Sequence, residues 1–110
     1  MAPRAEWLDQ VTEAVLDPGR PIVDPHHHLW DRPNFRYLLD EFLADQQGHN
    51  IVATVYVQAT SFHRADGPEQ LRPVGETEFV NGVAAMSASG LYGTSRMNAG
   101  IVGHANLRLG

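Results

Sequence analysis

Ile22-Val23-Asp24-Pro25-His26-His27-His28-Leu29-Trp30-Asp31 starts as a short extended run and passes into a loop rich in His, Trp and Asp. Pro25 biases Asp24 away from the helical region. In an extended chain alternate side chains share a face, so His26 and His28 are expected side by side, with Asp24 just below. Two imidazoles two residues apart can reach one divalent ion, while carboxylate fills the shell or orients a ring. A bare His-x-His pair also occurs in polar turns and adventitious metal binders. The preceding strand and Asp, and the Trp-Asp that follows, favour the functional reading.

Working outward, residues 4–17 place Trp7, Leu8, Val11, Val15 and Leu16 at helical spacing, and Asp17-Pro18-Gly19-Arg20-Pro21 breaks that helix. A second helix is expected over about 35–47, with Leu38, Leu39, Phe42 and Leu43 on one side and Gly48 as C-cap. Ile51 to Ala59, IVATVYVQA, reads as a strand covered on both faces. Residues 60–75 form a long polar loop, and Phe79, Val80, Val83 and Met86 mark a helix fading into Ser87–Gly90. Gly90, Gly93 and Gly100 frame a flexible connection to a third strand, Ile101 to Leu107. Strands alternating with helices imply a parallel sheet built by right-handed crossovers. The His-rich segment would then sit at the C-terminal end of the first strand, where ligands bind in open α/β sheets and barrels.

The chain has 110 residues, 43% hydrophobic and 19% charged, which is the size of one ordinary domain with its own core. A complete α/β barrel needs roughly 250 residues. The formal net charge of -5, without a Lys/Arg cluster, argues against nucleic acid as a partner. All eight basic residues are Arg, which excludes a Lys Schiff base and a Lys-derived carbamate within these residues. The absence of Cys excludes disulfides, thiolate metal sites and Cys nucleophiles, leaving His and carboxylate as the ligands for any metal. No apolar run approaches the roughly 20 residues of a membrane span. The N-terminus lacks the basic-then-apolar pattern of a secretory signal. The default expectation is a cytoplasmic protein without membrane partners.

Residues Ile22–Asp31 resemble the first strand of the amidohydrolase superfamily. They are similar, more narrowly, to the amidohydrolase-related, lactonase-like branch that includes fuconolactonases and pyrone-dicarboxylate lactonases, which opens with Asp-x-His-x-His, an aromatic residue and Asp. Ile51–Ala59 resembles the second strand of that branch and Gly100–Leu107 its third. The resemblance implies a (β/α)8 TIM barrel of which this chain holds the N-terminal three βα units, incomplete and preceded by a short helix. It divides the chain into an N-terminal helical extension, 1–20, and the barrel portion, 21–110. It implies that His26 and His28 are metal ligands for a divalent ion, zinc first among them. Some members of the branch work without a tightly bound metal, using the same His to polarise the carbonyl. The further ligands and the general-base Asp of the family come from later strands and have no match here.

Four further residues are candidate substrate contacts. Trp30 either lines a pocket or packs beside the first strand. Gln58 shares an alternating face with Thr54 and Tyr56, as a substrate hydrogen-bonding group or a layer-filling polar residue. Arg64, in the long loop, suits a bidentate clamp on a substrate carboxylate, or is a solvated surface residue. His104 projects with Asn106 and Val102, as a ligand or a satisfied rim His; the family often has an acidic residue near Asn106. Glu76 and Glu78 complement a helix N-terminus and carry no catalytic expectation. The resemblance implies a hydrolase that opens a lactone or amide with an activated water, truncated and inactive alone in this chain. A metal-dependent decarboxylase of the same fold is the alternative within the family. A non-enzymatic small α/β module binding metal or ligand through His26 and His28 is the alternative outside it. The expected partner is a small-molecule substrate, with a homo-oligomer as a further expectation.

Overall fold

The computed structural model describes residues 14–106 and 108. Most of the helix expected over 4–17 lies outside the described residues, and residues 14–17 are not helical. The elements are β1 (Pro21–His27), β2 (Trp30–Arg32), β3 (Phe35–Tyr37), α1 (Leu39–Asp45), β4 (Asn50–Val57), a 3-10 turn (Glu69–Leu71), α2 (Val74–Ala88) and β5 (Arg96–Val102). β1, β4 and β5 form a parallel sheet in the order β1-β4-β5, while β2 and β3 form a separate antiparallel ribbon.

Each element follows from local chemistry. In α1, Glu41 reaches back so that its Oε1 accepts the Leu38 N–H at 3.1 Å. Leu39 and Phe42 are the buried face of α1, and Gly48 takes φ +87 just past the helix end. α2 starts directly after Pro73 and buries Glu76, Val80, Val83 and Ser87, a stripe at helical spacing. Ser87 ties that stripe to β5: its hydroxyl donates to the Ser95 carbonyl at 2.8 Å and accepts the Met97 N–H at 2.9 Å. The core is Leu29, Leu39, Phe42, Tyr56, Val80, Val83 and Met97. Burial of each such apolar side chain contributes about 1.5–3 kcal/mol.

The expectation of three βα units of a TIM barrel is not met. Among the described residues the fold is a small α/β arrangement of a three-stranded parallel sheet, a two-stranded antiparallel sheet and two α-helices. The first crossover is mostly ribbon. Pro33-Asn34 turns the chain so that Arg32 pairs with Phe35 and Trp30 with Tyr37, and only seven residues remain for α1. The Leu/Phe pattern of 38–43 reads as one longer helix, but the β-forming Phe35 and Tyr37 beside a Pro-Asn turn override it. Among the described residues no α-helix follows β5.

The third strand is also displaced, running over Arg96–Val102 rather than 101–107. Gly100 is part of the strand. A Cβ there would stand 3.4 Å from the nearest Val55 methyl, so this glycine serves close strand approach rather than flexibility.

Candidate functional site

The site is built by an irregularity in β1. Asp24 pairs with Thr54 and His27 with Tyr56, so β1 carries one more residue than β4 over that stretch. Pro25 has no N–H to give the ladder, and the His26 N–H donates to Asp24 Oδ1 at 3.1 Å instead of to a strand. This bulge turns His27 into the core and leaves His26 exposed and His28 half-buried. The rings of His26 and His28 meet edge to face, with centroids 5.0 Å apart. The expected position of Asp24 beneath that pair is overturned. The extra residue shifts the alternation and registers Asp24 with Thr54, on the His27 side.

His28 is held in one tautomer. The Val57 carbonyl can only accept, so His28 Nδ1–H donates to it at 2.7 Å. Nε2 of the neutral ring therefore carries the lone pair, the state in which imidazole binds a cation or takes a proton. Beyond His28 the same side of the chain continues. The Trp30 ring lies 5.5 Å from His28, and the Arg32 guanidinium stands over Trp30 with Cζ 4.4 Å from the ring centroid. His26, His28, Trp30 and Arg32, every second residue, form one contiguous strip, while His27 and Leu29 between them are buried.

The ribbon separates the charges around that strip. Arg32 stands opposite Phe35, whereas Asp31 stands opposite Arg36, and Arg36 Nε donates to Glu41 Oε1 at 3.2 Å. Among the described residues Arg32 has no carboxylate partner.

Beneath the strip lies a buried polar network. Asn98 Nδ2 donates to the Val80 carbonyl at 3.1 Å, so its Oδ1 is an acceptor for His27 Nε2–H at 2.8 Å. Thr54 Oγ1 lies 2.8 Å from the same Nε2 and accepts the Asn98 N–H at 2.8 Å. Asn98 adopts φ +56 to make these bonds, a conformation Asn tolerates better than most residues. His27 is neutral: burial lowers its pKa from the ordinary histidine value, outweighing the opposing bond to Asn98 and the charge of Asp24. Sequence reasoning missed this network, because its members are far apart in the chain and only β1–β4–β5 pairing unites them.

A second buried group secures the end of β4. Glu76, 2% exposed, accepts the Tyr56 hydroxyl at 2.5 Å and the Ala59 N–H at 2.8 Å through Oε2. Burial, reinforced by that carboxylate, raises the Tyr56 pKa. Glu76 Oε1 faces His63 Nε2 at 4.0 Å. The segment between Ala59 and His63 is strained, with Thr60 at φ +60 and Phe62 at φ +56. Phe62 stacks on Phe79 with centroids 4.0 Å apart. A Tyr inside an apolar strand signals a buried hydroxyl in need of an acceptor; its partner was not legible.

Of the residues expected to form the site, the structure brings His26, His28 and Trp30 together. Gln58 lies just past β4 and its N–H donates to the Val102 carbonyl at 2.9 Å. Thr54 and Tyr56, its expected companions, belong to the buried His27 side. Arg64 is engaged elsewhere, donating to Glu78 Oε1 at 2.7 Å on the surface of α2. His104 is exposed beyond β5, beside Glu69, Gln70, Pro73 and Asn106. Arg32 is the residue the sequence reading passed over, although Trp-x-Arg in an extended segment is a signal for stacking. Two imidazoles fit two positions of a metal shell. Among the described residues no cluster of three His, Asp or Glu capable of holding an ion occurs. No described helix is long and apolar enough to cross a membrane.

The chain is similar to the protein named "Uncharacterized protein y4mH" of Sinorhizobium fredii (strain NBRC 101917 / NGR234), with 30% identity over 109 aligned positions. The match covers 79% of this chain and 32% of that protein, so the chain spans about a third of the relative's length. No protein-family profile matches the chain. No solved structure matches it.

Proposed function

We infer that the chain carries the carbonyl-activating end of a hydrolase that opens a small lactone or amide by attack of water. The observation that supports this reading is the His28 Nδ1–Val57 bond beside His26. A backbone carbonyl that takes one ring N–H leaves the other nitrogen ready as a metal ligand or a base. His26 and His28 are the residues that would hold a divalent ion, which would acidify a water or polarise a carbonyl when bound. Without an ion, neutral His28 accepts a proton at Nε2 and cannot donate from it, so carbonyl polarisation by that nitrogen requires the imidazolium. Trp30 offers a flat surface against which a substrate ring can lie.

A non-catalytic metal- or ligand-binding module is the second reading; it needs only the two converging imidazoles of His26 and His28. Zinc titration of the full-length protein, paired with hydrolysis of a lactone and amide panel, separates the two; this chain alone is expected to be inactive. The hydrolase reading expects metal binding and turnover, both lowered at least about tenfold in His26→Ala. Metal binding without turnover favours the module, release of carbon dioxide from carboxylated substrates favours a decarboxylase, and turnover retained in His26→Ala refutes the role of that residue. The Cys-free, net acidic composition supports a cytoplasmic location. Among the described residues β1 and β5 have no outer strand partner, which supports self-association.

A further inference from the structure

We propose that Arg32, stacked on Trp30, is an anion-recognising subsite continuous with His26 and His28, and that the ligand is a flat organic acid. Its carboxylate would lie on the guanidinium and its ring on the indole. The proposal rests on the hydrolytic reading only for placing a carbonyl at the imidazole end; the acid-binding end is carried by its own geometry.

Three observations support it. The strip is contiguous, each member touching the next from His26 to Arg32. The guanidinium is laid over the indole face, which restrains a long side chain without using its N–H groups, so they stay available for a planar carboxylate. The ribbon also keeps acids away from it: Arg32 is paired across to Phe35, and the neighbouring Asp31 is paired across to Arg36. The other arginine of the ribbon, Arg36, is already bound to Glu41, and Arg64 to Glu78. Arg32 is thus the cation placed beside the histidine pair and left without a carboxylate among the described residues.

The test uses benzoate and benzamide, which match in shape and differ in charge. In a Trp7→Phe background Trp30 is the one remaining indole, and its fluorescence reports binding at the strip. Benzoate is expected to bind at least about tenfold more tightly than benzamide. Arg32→Ala should erase that preference, Arg32→Lys should keep part of it, and Arg36→Ala should leave it unchanged. Equal binding of the two probes, or a benzoate preference that survives in Arg32→Ala, overturns the proposal. Preserved far-ultraviolet dichroism of each variant ties a loss to the side chain rather than to the fold. A benzoate preference found together with no metal binding and no turnover would leave this subsite standing while removing the hydrolytic reading. Turnover without the preference would do the reverse.

Discussion

His27 and the pair that flanks it, His26 and His28, are the same residue in consecutive positions with opposite fates. His27 is 8% exposed and bonded to Asn98, and its burial holds it neutral. His26 and His28 face outward along the strip, with one ring fixed by the Val57 carbonyl. The difference comes from one bulge residue and one missing N–H at Pro25, not from the histidines themselves. A chemically versatile side chain becomes a structural part when the core encloses it, here with Nε2 bonded to Asn98 and Nδ1 buried without a partner. It stays available for chemistry when one nitrogen is fixed by the backbone and the ring is not enclosed, as at His28.

The largest effect expected from breaking that contrast is on stability. His27→Ala removes a buried ring and leaves Asn98 Oδ1 without its donor, a loss of about 3 kcal/mol. His26→Ala, at an exposed position, should change stability by about 0.5 kcal/mol or less. Urea unfolding of both variants checks this; a His27→Ala cost no greater than that of His26→Ala would show that the buried network is not what holds β1 to β5.

Next in size, Gly75→Ala sharpens the same contrast on the inner side. Its Cβ would stand 2.6 Å from the Arg64 nitrogen and 2.7 Å from the Phe62 oxygen, both backbone atoms. Forcing them apart should cost about 1–3 kcal/mol. The distortion would reach the Glu76–Ala59 bond and leave the outward strip intact. Thermal unfolding gives the loss, and in a Trp7→Phe background the Trp30 fluorescence should be the same with and without Gly75→Ala.

The smallest effect is on pH dependence. The native pKa of His27 is lowered, so on acidification the unfolded chain gains a proton that the native protein resists. The contribution is fully present above the ordinary histidine value of 6.5 and is lost as pH falls from there toward the lower native value. Stability measured between pH 7 and 5 should therefore fall more steeply in the wild type than in His27→Gln. Identical slopes for wild type and His27→Gln would contradict the assignment of a resistant, buried imidazole.

Part of this was legible in the chain. Ile51–Ala59 announces a strand, and β4 occupies Asn50–Val57 at the centre of the sheet, although it is not covered throughout on both faces: Thr54 and Tyr56 are buried and Val52 is exposed. The apolar stripe around Val80 and Val83 announces α2. The juxtaposition of His26 and His28 follows from alternation, which holds locally on either side of the bulge. Other features follow contacts that no local pattern encodes. The fold is not the barrel segment expected, because Phe35 and Tyr37 pair across Pro33-Asn34 rather than continuing a helix. β5 begins at Arg96 because Ser87 and Thr54 capture the Met97 and Asn98 N–H groups. Arg64, attractive as a carboxylate clamp by its loop, is spent on Glu78.

The amino-acid sequence by itself determined the chemistry available: imidazole, carboxylate and guanidinium without thiol or amine, and an extended stretch that sets alternate residues on one side. Tertiary structure alone decided which of three adjacent histidines is buried, where Asp24 falls and which arginine beside the site has no carboxylate partner among the described residues. The physical reason is that side-chain alternation is a short-range property of the backbone, whereas burial and hydrogen-bond satisfaction depend on partners. Asn98, Thr54 and Val57 meet the histidines only once the strands pair.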